Sequence, residues 1–222
     1  MNKRLITIGL VILAFCVIGK LLYSGIKNIK VDDFHPSAVI FVVDSSASNQ
    51  EKLQEGIKYV KQLCNVLDPE DQIKILKVSE KSYLIYEGAP TDSSSISKSF
   101  EAFTKFNEKD YGTAYGEGLK KAISHALTMK NEGYTPAVVI IGDLENEGAV
   151  EKQINWETLP NNISSAKAEM PDLVMMFLYA HPEKLDLVKE KLGPVLGEKK
   201  LILGTEQTAQ KTQRKFIEAL GR

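Results

Sequence analysis

The residues of this chain that could do chemistry are oxygen donors. Asp44-Ser45-Ser46-Ala47-Ser48 directly follows an apolar run over residues 38–43. Thr113, after Gly112, precedes a stretch of helical spacing, and Asp143, after Gly142, directly follows an apolar run over residues 137–141. Asp44 and Asp143 supply two carboxylates; Ser46, Ser48 and Thr113 supply three hydroxyls. A donor set of hard oxygens without cysteine or histidine suits Mg²⁺, Mn²⁺ or Ca²⁺ better than zinc. Two carboxylates neutralise a divalent cation and leave its open position electrophilic, so an acidic side chain of a partner would complete the shell. The alternation in Asp44-x-Ser46-x-Ser48 turns the three named side chains to one side of a loop and Ser45 and Ala47 away from it. Mg²⁺ holds its waters in near-octahedral geometry, so Ser46 and Ser48 are expected to bond directly, with some of Asp44, Thr113 and Asp143 acting through water.

These residues need elements that bring them together. Residues 38–43 are a continuous β-branched and aromatic run of strand length, the pattern of a strand buried on both faces. In residues 49–67, Leu53, Ile57, Val60, Cys64 and Leu67 recur every three or four positions, which predicts an amphipathic helix closed by Pro69. Residues 73–78 and 83–86 read as strands joined by Ser79-Glu80-Lys81-Ser82, a connection short enough for a local antiparallel hairpin. Helices are expected over 95–106 and 114–129, with Ser93-Ser94-Ser95 capping the first. Strands follow at 137–141, 173–179 and 201–203, with helical spacing over 182–192 and 208–220 and an irregular helix near 163–169. The order β-α-β-β-α-α-β-α-β-α-β-α predicts an α/β fold: a doubly wound, mostly parallel sheet with one antiparallel edge strand and helices on both faces. In such sheets ligands bind at the carboxyl ends of the strands near the point where strand order reverses, and the oxygen donors fall at strand ends.

With Asp44, Ser46 and Ser48 in one loop, Thr113 in Tyr111-Gly112-Thr113 and Asp143 after Ile140-Ile141-Gly142, residues 37–221 resemble a von Willebrand factor type A domain. The metal-ion-dependent adhesion site of that family is written Asp-x-Ser-x-Ser, then a Thr, then an Asp. Leu144 departs from the pattern, because the family often has glycine after the aspartate. The resemblance implies a Rossmann-like fold and a metal-bridged, protein-binding module that is not an enzyme.

Plainer uses exist for each residue. Asp44, Ser45 and Ser46 could cap a helix, and Gly112 and Gly142 could serve only backbone freedom in turns. Glu117 and Glu145 could act as a base or outer-shell group, although exposed surface acids are the simpler use. The rival function is a metal-dependent hydrolase or phosphoryl-transfer enzyme using the same aspartate-held metal. Against it, the chain has no Gly-x-x-x-x-Gly-Lys-Ser/Thr loop and no Gly-x-Ser-x-Gly elbow, and His35, His125 and His181 are scattered.

The amino-terminal region reads as an address. Residues 5–26 are apolar apart from Thr7, Lys20 and a few small polar or aromatic positions, and are long enough to span a bilayer. Lys20 lies where its stem can snorkel to the headgroups. The expected organisation is a transmembrane anchor with a basic flank over 1–30, a linker over 31–36 and the α/β domain over 37–222. The short basic amino terminus before the apolar run resembles a signal anchor, which would export the domain to the periplasmic or extracellular side of a single-pass membrane protein. Residues 1–30 carry five of the 28 basic residues and none of the 29 acidic ones, which leaves a net charge of −6 beyond residue 30. That balance argues against nucleic acid as a partner.

Overall fold

A computed structural model of the chain describes residues 35–104, 112–145 and 147–222, and residues 35–222 form one compact unit. The expected anchor over residues 5–26 lies outside the described residues, as do Phe106 and Tyr111. Among the described residues no helix is long and apolar enough to cross a membrane.

Strand β1 (Ser37–Asp44) is buried along its whole length, as its unbroken apolar run requires of a strand covered on both faces. It pairs in parallel with β2 (Gln72–Val78) on one side and with β4 (Thr135–Ile141) on the other. Beyond β2 lies β3 (Ser82–Gly88), antiparallel through the short connection at residues 79–81; beyond β4 lie β5 (Val174–Leu178) and β6 (Leu201–Gly204), both parallel. The sheet order is β3-β2-β1-β4-β5-β6. Strand order therefore reverses between β1 and β4, which places the end of β1 and the end of β4 on either side of the switch point.

The helices are α1 (Gln50–Cys64), α2 (Ser93–Ser99), α3 (Glu101–Thr104), α4 (Tyr115–Asn131), α5 (Leu159–Glu169), α6 (Pro182–Leu196) and α7 (Ala209–Ala219). Period-two alternation divides β1 between two cores. Ala38, Ile40 and Val42 join Leu119, Ala122, Ala126, Ile163, Val188 and Leu192, from α4, α5 and α6. Val39, Phe41 and Val43 join Leu53, Val60, Leu63, Ile96, Phe103 and Phe216, from α1, α2, α3 and α7. This is the doubly wound arrangement with one antiparallel edge strand that the pattern predicts.

Three local expectations are corrected. The helix expected over 95–106 divides at Phe100 into α2 and α3, and α2 starts at Ser93. Its cap is Asp92, whose Oδ1 accepts from the Ser95 amide at 3.0 Å, so the three serines lie inside the first turn and do not cap it. The irregular helix near 163–169 is a regular one from Leu159, because Pro160 occupies the first turn, where a missing N–H costs nothing.

A buried clasp closes the end of the sheet remote from the oxygen donors. Asp71 is fully buried; its Oδ1 accepts from the Ser37 amide at 2.6 Å and its Oδ2 from the Asp68 amide at 2.8 Å. Arg222 grips both carboxylate oxygens and also donates to Ser37 Oγ at 3.1 Å. Removing one partner of a buried pair leaves the other groups desolvated, so Asp71→Ala is expected to cost about 3 kcal/mol. Urea denaturation would measure it, with an unchanged midpoint contradicting the assignment.

Candidate functional site

Asp44 is the last residue of β1 and is completely buried. The chain turns immediately: Asp44 Oδ1 accepts from the Ser46 amide at 2.8 Å, a local aspartate turn. Ser45 points away from the donor set, its Oγ donating to the Val78 carbonyl at 3.1 Å, while Ser46 Oγ and Ser48 Oγ lie 3.1 Å apart. Of the expected alternation, the neighbouring Ser46 and Ser48 hydroxyls and the diverging Ser45 hydroxyl are seen. Helix capping does not account for the cluster. The N-cap of α1 is Asn49, which makes no side-chain cap and instead donates from Nδ2 to the Asp44 carbonyl at 3.0 Å.

Thr113 and Asp143 arrive from two other loops, and backbone bonds fix all three together. The Ser45 amide donates to Val78 O at 2.8 Å and the Ala114 amide to Ser79 O at 2.7 Å, so the loops after β1 and before α4 both rest on the end of β2. The Thr113 amide donates to Glu147 O at 3.0 Å, which ties it to the loop after β4. Thr113 is wholly buried, and its Oγ1 is a buried hydroxyl without a hydrogen-bond partner. Asp143 is 4% exposed, and its Oδ1 accepts from the Glu145 amide at 2.8 Å.

The two carboxylates meet through a residue that the sequence did not single out. Tyr115, first residue of α4, donates its phenolic proton to Asp44 Oδ2 at 2.7 Å, and the same oxygen lies 3.5 Å from Asp143 Oδ1. It accepts in turn from the Leu144 amide at 3.2 Å. An aromatic at the start of an amphipathic helix looks like a core residue. Only its partners, 71 and 28 residues away in the chain, reveal the hydroxyl's use. Leu144 itself has φ +61°, the left-handed conformation that glycine adopts freely, and its side chain is buried. The loop keeps the backbone shape natural to glycine while placing an apolar anchor in the core.

The electrostatics favour a cation. Burial, against the lowering effect of the Ser46 and Tyr115 hydrogen bonds, and with the Asp143 charge adding to it, pushes the Asp44 carboxyl up to about 7. Burial and the same two carboxylates hold the Tyr115 phenol well above its usual range, so it remains a proton donor. Glu117 pairs with Lys121 at 2.6 Å and Glu145 with Lys184 at 3.1 Å. Among the described residues no group of three or more His, Cys, Asp or Glu side chains converges as a metal cage. The donor set is two carboxylates plus hydroxyls, with one buried hydroxyl orphaned, and this combination fits a hard divalent cation.

Residues 39–146 match the von Willebrand factor type A domain family. No curated protein matches the chain. Among solved structures, the VWA domain of SpRpn10 is similar over 80% of this chain and 93% of its own, at 9% identity and a TM-score of 0.60. BatB of Bacteroides thetaiotaomicron is similar over 85% of this chain and 100% of its own, at 13% identity and a TM-score of 0.56. Proximal thread matrix protein 1 of the mussel byssus, in a form whose MIDAS motif is occupied by zinc, is similar over 83% of this chain, at 12% identity and a TM-score of 0.55. The chain spans about half the length of that mussel protein, 48%. At these identities the likeness to the solved structures is one of fold, and the match to the von Willebrand factor type A domain family covers residues 39–146 of the chain.

Proposed function

We propose that this chain is a membrane-anchored von Willebrand factor type A module that captures an Asp or Glu side chain of a partner protein through a divalent cation. Asp44, Ser46, Ser48, Thr113 and Asp143 would hold the cation, Mg²⁺ in the first instance and Mn²⁺ or Ca²⁺ as alternatives. The observation that carries the proposal is the Thr113 hydroxyl, fully buried without a hydrogen-bond partner in a loop fastened beside two carboxylates. A buried orphan of this kind costs about 1–3 kcal/mol unless something occupies it. A bound cation supplies the electrophilic position that accepts the partner's carboxylate.

Each residue has a distinct task. Asp44 and Asp143 supply the opposing charge, held in place by the Ser46 and Glu145 amides. Ser46 and Ser48 present adjacent hydroxyls, and Ser48 is exposed, so the donor set reaches the surface on that side. Zinc in the mussel protein's MIDAS motif is a precedent for a divalent ion on this fold. The acids that a hydrolytic reading would need as a base, Glu117 and Glu145, are both engaged with lysines, which favours binding over catalysis. In this reading residues 5–26 are the anchor, and the signal-anchor pattern of the sequence supports a domain outside the cytoplasm.

Thr113→Val tests the site without disturbing the fold, because valine keeps the shape and removes only the hydroxyl. Its thermal midpoint without metal is expected to match or exceed that of the wild type, while Mg²⁺ affinity falls about tenfold, the worth of one lost ligand bond. In pull-downs from membrane extract, a cation-bridged partner should be retained with Mg²⁺ and released by EDTA, and the Thr113 variant should retain less of it. Equal retention under all three conditions would place the interface elsewhere.

A further inference from the structure

Tyr115 is the buried polar group for which the proposed site has no assigned use. It is 1% exposed, and its one hydroxyl makes three approaches: to Asp44 Oδ2 at 2.7 Å, to Asp143 Oδ1 at 3.5 Å and from the Leu144 amide at 3.2 Å. The phenol fits because residue 142 has no side chain. A Cβ on Gly142 would stand 2.1 Å from the Tyr115 oxygen and 2.5 Å from Asp44 Cβ. The tyrosine and the glycine are thus complementary halves of one contact, formed where β1, α4 and the loop after β4 converge.

We infer that Tyr115 is a positioning residue for cation binding, a neutral crosspiece that donates its one proton to Asp44 and accepts from the Leu144 amide, and so ties the Asp44 carboxylate to the backbone beside Asp143 before any cation arrives. The inference rests on the cation-binding proposal above. Two carboxylates brought this close repel each other once both are ionised, and without a tether the Asp44 side chain would turn away and have to be repositioned on binding. The phenol bonds one oxygen of Asp44 while the Ser46 amide bonds the other. Each oxygen accepts one of these hydrogen bonds and has a further lone pair directed elsewhere. The Leu144 amide locks the phenol from behind, so the crosspiece is itself fixed. A site assembled in this way loses little rotamer freedom on binding, and affinity rises accordingly.

The test uses the full-length chain in mild detergent, with MgCl₂ as the probe. Tyr115→Phe keeps the ring and removes the hydroxyl. Its calorimetric Kd for Mg²⁺ is expected to rise about tenfold or more, and the increase in thermal midpoint produced by a fixed Mg²⁺ concentration should shrink in step. A merely structural role would lower the midpoint equally with and without Mg²⁺ and leave Kd unchanged; that result overturns the inference. A wild-type chain that does not respond to Mg²⁺ overturns the cation-binding reading itself, and this inference with it. A second readout needs no variant: in the wild type, tyrosine difference absorption should change in proportion to Mg²⁺ occupancy as the Asp44 carboxylate that accepts the phenolic proton loses electron density. An unchanged tyrosine spectrum at saturation overturns the inference even where the variant fails to fold.

Discussion

Asp44→Ala is expected to weaken Mg²⁺ binding by more than about a hundredfold, while Ser45→Ala leaves it within about threefold of wild type. The two residues are neighbours in one loop and both are buried, so general damage to the loop would affect them alike. They differ in direction. Asp44 faces Tyr115 and the Asp143 carboxylate, whereas the Ser45 hydroxyl is committed to the Val78 carbonyl on β2. Removing Asp44 takes away half of the formal negative charge opposing the cation; removing the Ser45 hydroxyl takes away one hydrogen bond to a strand end. Asp44→Asn refines the comparison, because it keeps the volume and one acceptor for the Ser46 amide. If charge is what matters, Asn should bind Mg²⁺ almost as poorly as Ala while unfolding closer to wild type. Isothermal titration on the three variants decides it, and equal losses at positions 44 and 45 would remove the basis for the donor set.

Most of what positions this site was legible in the sequence because it depends on local pattern. The unbroken apolar runs of β1 and β4 identify strands covered on both faces, and a polar residue at the end of each has nowhere to go except the carboxyl edge of the sheet. The hairpin between β2 and β3 follows from the length of its connection. What is not legible there depends on pairs of residues distant in sequence. Tyr115 looks like any aromatic on an apolar helix face, and Gly142 like any turn glycine, until the fold sets one against the other. Asp92 displaced the serines as helix cap because a carboxylate competes well for the first amide donors, and nothing in the serine run excluded that. Leu144 stands where the family often has glycine, and its φ of +61° is a backbone conformation that glycine adopts freely, combined here with a buried side chain.

Gly142→Ala should destabilise the domain by about 4 kcal/mol. Two independent costs combine. The φ of +155° is one that residues with a Cβ rarely adopt, and the backbone cannot readily relax because the Gly142 amide is bonded to Leu178 O at 3.1 Å in the direction of β5. The added carbon would also meet Asp44 Cβ at 2.5 Å and the Tyr115 hydroxyl at 2.1 Å, and neither atom is the free end of a flexible chain. Asp44 Cβ is fixed by β1, and the phenol is held by Asp44 Oδ2 and the Leu144 amide. Relief requires the Tyr115 ring, itself in the core with Leu119 and Ile140, to move outward, which would separate Asp44 from Asp143. The variant should therefore melt roughly 8–16 °C lower than wild type and lose Mg²⁺ binding together with its stability. Differential scanning calorimetry with and without MgCl₂ measures both effects. A variant that melts normally but no longer binds Mg²⁺ would mean that the phenol had moved without cost and that Tyr115 controls only the site. One that melts normally and binds normally would mean that the close packing of Gly142 against Tyr115 and Asp44 is not the arrangement that holds the carboxylates together.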